Sequence, residues 1–160
     1  RSMQAFLVLV VAISSCLGTG PAVLTLKDIG ECEGTPLPTS VELHSCHCLE
    51  GGVCHLVHGD KIHLTTHFDK PDEREPAAYE LKVYADVEGT EYARSVPETT
   101  YKVVCGDKAD CVVDHDVEIF SHIPTGHRVI RYELSGIRYG SKHPLFCYTY
   151  HAKVTEKIEE

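Results

Sequence analysis

Residues 44–59 read HSCHCLEGGVCHLVHG, which places His44, Cys46, His47, Cys48, Cys54, His55 and His58 within one short segment. Thiols and imidazoles so crowded can hold zinc, form disulfides, or pair as a nucleophile with its base. A structural zinc site wants four such ligands converging on a tetrahedron, usually from two closely spaced pairs. The segment has no C-x-x-C, and no second knuckle occurs elsewhere in the chain, which counts against zinc. A nucleophilic Cys48 would need His47 or His55 beside it. Neighbours on an extended chain point to opposite faces, however, and no orienting carboxylate or oxyanion loop is evident. The chain contains no G-x-S-x-G, no H-E-x-x-H and no phosphate loop. It is therefore read as a non-enzyme that needs no metal and no cofactor.

Whether the cysteines are oxidised depends on where the chain goes. Residues 6–13, FLVLVVAI, are wholly apolar but far shorter than the ~20 residues of a spanning helix. The small, polar SSCLGTG follows, as at a signal-peptide cleavage site. Arg1 and Ser2, ahead of the single methionine, are read as upstream remnants. Residues 1–18 are thus expected to be these remnants plus a secretory signal peptide, and residues 19–160 one domain. Export, to the extracellular space or to a lysosomal or endosomal lumen, makes disulfides the default for the remaining cysteines. With 24 acidic against 15 basic side chains, a net charge of -9 and no basic stripe, nucleic acid is excluded as a partner. The chain lacks asparagine, and with it any N-glycosylation sequon.

The elements that must position these groups read as strands. Alternation of apolar and polar residues runs through 41–44, 61–68, 79–87, 116–120, 128–137 and 145–154, rich in β-branched and aromatic residues. Stretches such as EGTPLPTS, DKPDEREP, CGDKADC and SGIRYGSKHP punctuate them as turns. Many short strands at regular spacing predict an all-β sandwich or barrel. His63 and His67 share parity with Thr65, opposite Leu64, and should face solvent. His55 and His58 lead into a turn at Gly59-Asp60.

Cys105 and Cys111 flank five polar residues between strand-like segments, a loop short enough for a disulfide to close. Cys54 can pair with Cys46 or with Cys48, and Cys32 is then left for Cys147. This frame, with LKDIGEC (26–32), VELHSC and CHLVHGDKIHLTTHF (41–68), VIRYEL (129–134) and LFCYTYHAKV (145–154), resembles the ML lipid-recognition family. Its members include a Niemann-Pick type C sterol carrier and the group 2 mite allergens. The resemblance runs over residues 25–157. It implies an immunoglobulin-like β-sandwich of two antiparallel sheets with an internal apolar cavity for a lipid: a sterol, fatty acid or phospholipid. It also favours Cys46–Cys54 beside Cys32–Cys147 and Cys105–Cys111, leaving Cys48 free.

The lining then expected is Leu64, Leu81, Val83, Val112, Val117, Ile119, Ile130, Tyr132, Leu134, Phe146 and Tyr148. Of these, Ile130, Tyr132 and Leu134 follow from the match of VIRYEL, and every one reads equally as ordinary core. Two roles fit. One is a secreted monomeric lipid carrier, with contact to a membrane surface or a receptor. The other is an innate-immune co-receptor that presents a bound lipid without transporting it. The departures from the family pattern, two cysteines competing for one position and a single proline in ARSVPETTYKVVC, keep sterol specificity from being carried over.

Overall fold

The computed structural model describes residues 22–24, 29–44, 47–48, 53–69, 76–87, 89–95, 100–106, 110–119, 121 and 123–158. The expected signal peptide, residues 1–18, lies outside the described residues. Twelve strands make up the ordered architecture: β1 (Ala22–Leu24), β2 (Ile29–Glu31), β3 (Ser40–His44), β4 (His47–Cys48), β5 (Cys54–Val57) and β6 (Lys61–Asp69), then β7 (Ala78–Val87), β8 (Thr90–Ser95), β9 (Tyr101–Cys105), β10 (Asp110–Glu118), β11 (Gly126–Arg138) and β12 (Ser141–Thr155). They form two sheets. The first runs β1-β3-β6-β10-β9 and the second β4-β5-β12-β11-β7-β8, with β2 also on β12. Every pairing is antiparallel except that of β5 with β12. The expectation of an all-β sandwich of two antiparallel sheets is met.

Period-two sequence becomes two-faced structure most clearly in β6. Ile62, Leu64, Thr66 and Phe68 point inward, while His63, Thr65 and His67 point out. The long β12 takes two partners in succession on one edge: β2 against Tyr148–Tyr150, then β5 against Ala152–Thr155. Its other edge carries β11 over nearly its whole length.

Two strand boundaries differ from the sequence expectation. Residues 135–144, read as a connection, are strand on both sides of a two-residue turn at Tyr139-Gly140. Both turn residues have positive φ, 49° and 74°, the backbone that a tight hairpin with right-handed twist requires. A Gly at the second position makes the turn cheap, and the exposed Tyr139 accepts the strain at the first. The strand expected at 116–120 is β10, which starts six residues earlier and ends at Glu118. The polar residues Asp110, Asp114 and Asp116 disguised it, because they occupy only its outer face.

Cys32 is bonded to Cys147, with Cα atoms 5.6 Å apart, and Cys105 to Cys111, at 4.1 Å. Cys54 is also in a disulfide. The Cys46–Cys54 pairing, and with it the free Cys48, falls outside the described residues. Each of the two described bridges ties strands within one sheet. Cys32 follows β2, which pairs β12, and Cys105 and Cys111 stand opposite each other on β9 and β10.

On the loop-entropy account the sequence separations of 115 and 6 should separate the two bridges energetically. Cys32→Ala/Cys147→Ala is expected to lose about 4–5 kcal/mol and Cys105→Ala/Cys111→Ala about half of that, compared by urea midpoints at equal m-value. Equal losses would show that native packing around the bridges, not the length of chain they close, sets their worth.

Candidate functional site

The inward faces of the two sheets meet in one interior, and ten of the eleven expected lining residues reach it. Leu64, Leu81, Ile119, Ile130, Tyr132, Leu134, Phe146 and Tyr148 are buried there, with Val83 and Val117 half-buried against them. Val112 is the exception. On β10 the inward positions are Cys111, Val113, His115 and Val117, so Val112 stands on the outer face, opposite Val104, which is 52% exposed. Strand parity corrects the expectation: Val112 and Val117 are an odd number of residues apart and cannot share a face.

Side chains join the sheets across this interior. Phe68 of β6 meets Phe146 of β12 with ring centroids 5.2 Å apart, and His115 of β10 meets Tyr132 of β11 at 5.5 Å. Tyr132 stacks on Tyr148 at 5.6 Å and on Tyr150 at 5.7 Å, which makes a slab of three phenol rings along the second sheet. At one edge the Tyr101 hydroxyl donates to the Tyr79 carbonyl across the sheets, 2.9 Å away. Near the 58–60 turn, Gly59 N–H donates to the Ile119 carbonyl and Ile119 N–H to that of Asp60.

This interior is less apolar than the sequence pattern implies. Thr66, His115 and the hydroxyls of Tyr132, Tyr148 and Tyr150 are all enclosed in it. Between them they make two long hydrogen bonds, Tyr150 Oη donating to Tyr132 Oη at 3.4 Å and Thr66 Oγ1 with Tyr148 Oη at 3.3 Å. Oxygen-to-oxygen bonds normally close to about 2.7–2.8 Å. Neither ring nitrogen of His115 has a hydrogen-bond partner among the described residues, although the residue is only 2% exposed. Leaving a buried polar group unpaired costs about 1–3 kcal/mol. Burial depresses the His115 imidazole to about 4, helped by the charge of His63 and opposed by Asp114 and Asp116, so at neutral pH the ring is uncharged. Burial likewise pushes the phenols of Tyr132, Tyr148 and Tyr150 upward, keeping them protonated. His115 was not foreseen, although its parity with Val117 in HDVEI was a readable signal.

Outside, on the other face of the same strands, a second histidine has the opposite surroundings. His63 Nδ1 lies 2.6 Å from Asp116 Oδ1, its Nε2 pairs with Asp114, and Thr65 donates to Asp114 at 2.9 Å. The hydrogen bond to Asp116 is the main reason its pKa is raised; desolvation is the next-largest effect and opposes it, while the charges of Asp114 and Asp116 add to the rise. His67, 3.9 Å from Asp110, continues the row. The solvent-facing placement expected for His63 and His67 is met.

The described part of the cysteine- and histidine-rich segment is engaged structurally. Cys54 is a disulfide sulfur, His55 Nε2 is 2.8 Å from Thr155 Oγ1, and His58 Nε2 donates to the Ile123 carbonyl at 2.7 Å. His44, Cys46, His47 and Cys48 have side chains outside the described residues.

No family model matches the sequence, and no curated protein matches it. In three dimensions the chain is similar to a Niemann-Pick type C2 protein from the Japanese carpenter ant. The TM-score is 0.58 at 15% identity, covering 79% of this chain and 98% of that one. At that identity the likeness establishes a shared fold.

Two pH dependences of opposite sign follow. His63 has a raised folded pKa, so its stabilisation is complete below about 6.5 and fades as pH rises through the folded value. Its NMR titration midpoint should lie above that of a free histidine and drop in Asp116→Asn; an unshifted midpoint would show that the His63–Asp116 contact does not act as a latch between β6 and β10. His115 has a lowered folded pKa, so the fold is fully favoured above about 6.5 and loses up to about 3 kcal/mol as pH falls towards 4. His115→Phe should remove that part of the acid slope in urea midpoints; an unchanged slope would mean that folding does not depress the ring's pKa.

Proposed function

We propose that this chain is a lipid-binding protein that carries a sterol, fatty acid or phospholipid between its two sheets. In this reading residues 1–18 are a leader and residues 19–160 the binding domain, delivered to an extracellular or lysosomal space where the disulfides persist. The observation that carries the reading is how the sheets are joined. Each described disulfide lies within one sheet, and the inner faces meet through side chains such as the Phe68–Phe146 and His115–Tyr132 pairs. Sheets stiffened separately by these two bridges can part without breaking either of them.

Parting them exposes apolar surface at about 25 cal/mol per Å², and an apolar guest inserted in the gap buries it again. The polar exterior, including the row His63, Asp114 and Asp116, stays in water whether the interior is empty or filled. The likeness of fold to a Niemann-Pick type C2 protein agrees with a sandwich of this kind.

Native mass spectrometry of the secreted protein, before and after organic extraction, tests the reading. A non-covalent adduct that vanishes on extraction is expected, with a fatty acid, sterol or phospholipid in the extract. Val117→Phe, which adds bulk to the inner face of β10, should lower the loaded fraction several-fold while the protein stays folded. A bare mass that acquires no adduct from any of the three lipid classes would refute the carrier.

A further inference from the structure

We propose that His115 is the interior anchor for the ligand's polar end, and that the ligand is a lipid bearing an uncharged oxygen head, a hydroxyl above all, inserted head-inward between the sheets. The proposal rests on the lipid-binding reading and adds to it a residue, an orientation and a head-group class.

His115 lies on the inner face of β10, between the two sheets. It stands on β10 with Leu64 of β6 and Tyr101 of β9 as its register neighbours, and it faces Tyr132 of the opposite sheet at 5.5 Å. Both its nitrogens lack partners among the described residues, and its side chain is enclosed. A neutral imidazole presents one N–H donor and one bare acceptor nitrogen, the complement of a hydroxyl, which both donates and accepts. The neighbouring phenols add capacity of the same kind. Tyr132 accepts a long bond from Tyr150, which leaves its own hydroxyl hydrogen to offer.

The head-group class follows from charge. The buried polar or charged residues among those described are Thr66, His115 and Ser135, together with the tyrosine hydroxyls. None is a fixed cation, and burial holds His115 itself neutral at pH 7. A carboxylate or phosphate brought there would be a buried charge without a counter-charge, whereas a hydroxyl needs only the hydrogen bonds that the site leaves open. A simple apolar core would place a Leu or Phe at this position, because an apolar residue of similar shape avoids the unpaired nitrogens altogether.

Loading from an equimolar mixture of 1-hexadecanol, hexadecane and palmitic acid at pH 7, followed by extraction and quantification, reads the selectivity directly. At least a tenfold excess of the alcohol over the hydrocarbon and over the acid is expected in the wild type. The ratio should collapse towards one in His115→Phe and recover in part in His115→Gln, which restores a donor and an acceptor. Nitrogen NMR of the His115 ring should show both nitrogens shifting when hexadecanol alone is added and not when hexadecane is added. Equal loading of alcohol and hydrocarbon, or a ring unmoved by the alcohol, would overturn the anchor while leaving the lipid carrier standing. Preferential loading of palmitic acid would overturn the uncharged-head assignment. Failure of all three to load would remove the anchor and count equally against the carrier.

Discussion

The pairing of β11 with β12 is the constraint on which the rest of the molecule depends. These are the two longest strands, joined by the tight Tyr139-Gly140 turn, and their register runs from Arg138↔Ser141 to Gly126↔Val154. A turn of two residues permits no slack, so it fixes which residues of the two strands stand opposite each other. That register sets Tyr132 against Tyr148 and Ile130 against Tyr150, all facing inward. Every other strand of the second sheet is then attached to this hairpin, directly or in turn: β7 on β11, β8 on β7, β2 and β5 on β12, and β4 on β5. The bulge between Leu134 and Ser135 spends one residue of slippage near the turn. The extra residue is Leu145 of β12, which is itself buried.

The interior that results is a compromise between filling and polarity. Tyrosines supply large ring area, and the stacked Tyr132, Tyr148 and Tyr150 occupy the middle of the second sheet as leucines would not. Their hydroxyls come with that area, and among the described residues the first sheet offers them Thr66 as a partner while adding the unpaired ring of its own His115. An interior selected purely for stability would satisfy or remove such groups. Keeping them under-bonded weakens the seam between the sheets relative to bonding within each sheet, where ladders and disulfides act together. Stiff leaves with a soft seam are the mechanical property that the proposed carrier role would draw on.

Much of this was legible in the amino-acid pattern, and what was missed has physical causes. Alternation in 61–68, 79–87, 128–137 and 145–154 marked β6, β7, β11 and β12, because each is long enough to bury four or more residues of one parity. β2, β4 and β5 are two to four residues long and carry too few positions for a period to show. The Cys32–Cys147 and Cys105–Cys111 bridges could be read from loop lengths and order. The residues expected to face inward are largely buried, since burial follows parity. Val112 differs from the expectation because alternation is visible in the sequence only from Asp116 onward, which leaves the parity of residues 110–115 untied to Val117. That same gap hid His115. A histidine among aspartates looks like surface, and only the strand geometry shows that DHD places its outer residues in water and its middle one in the core.

His63 and His115 show how one rule, the two-residue period of a strand, gives a single side-chain type opposite chemistry. Asp116 is the register partner of His63, and the next residue along the chain, His115, is that of Leu64. One ring therefore sits between two carboxylates in water, where protonation is favoured. The other sits among aromatic and aliphatic side chains, where protonation is opposed, and the charge on His63 deepens that opposition through the sheet. Acidification tightens the outer latch as it penalises the inner ring. Mild acid then protonates the outer face first, because its pKa lies on the higher side of 6.5 and that of the interior near 4. The pairing of β6 with β10 is thereby reinforced before the seam between the sheets is loaded with charge.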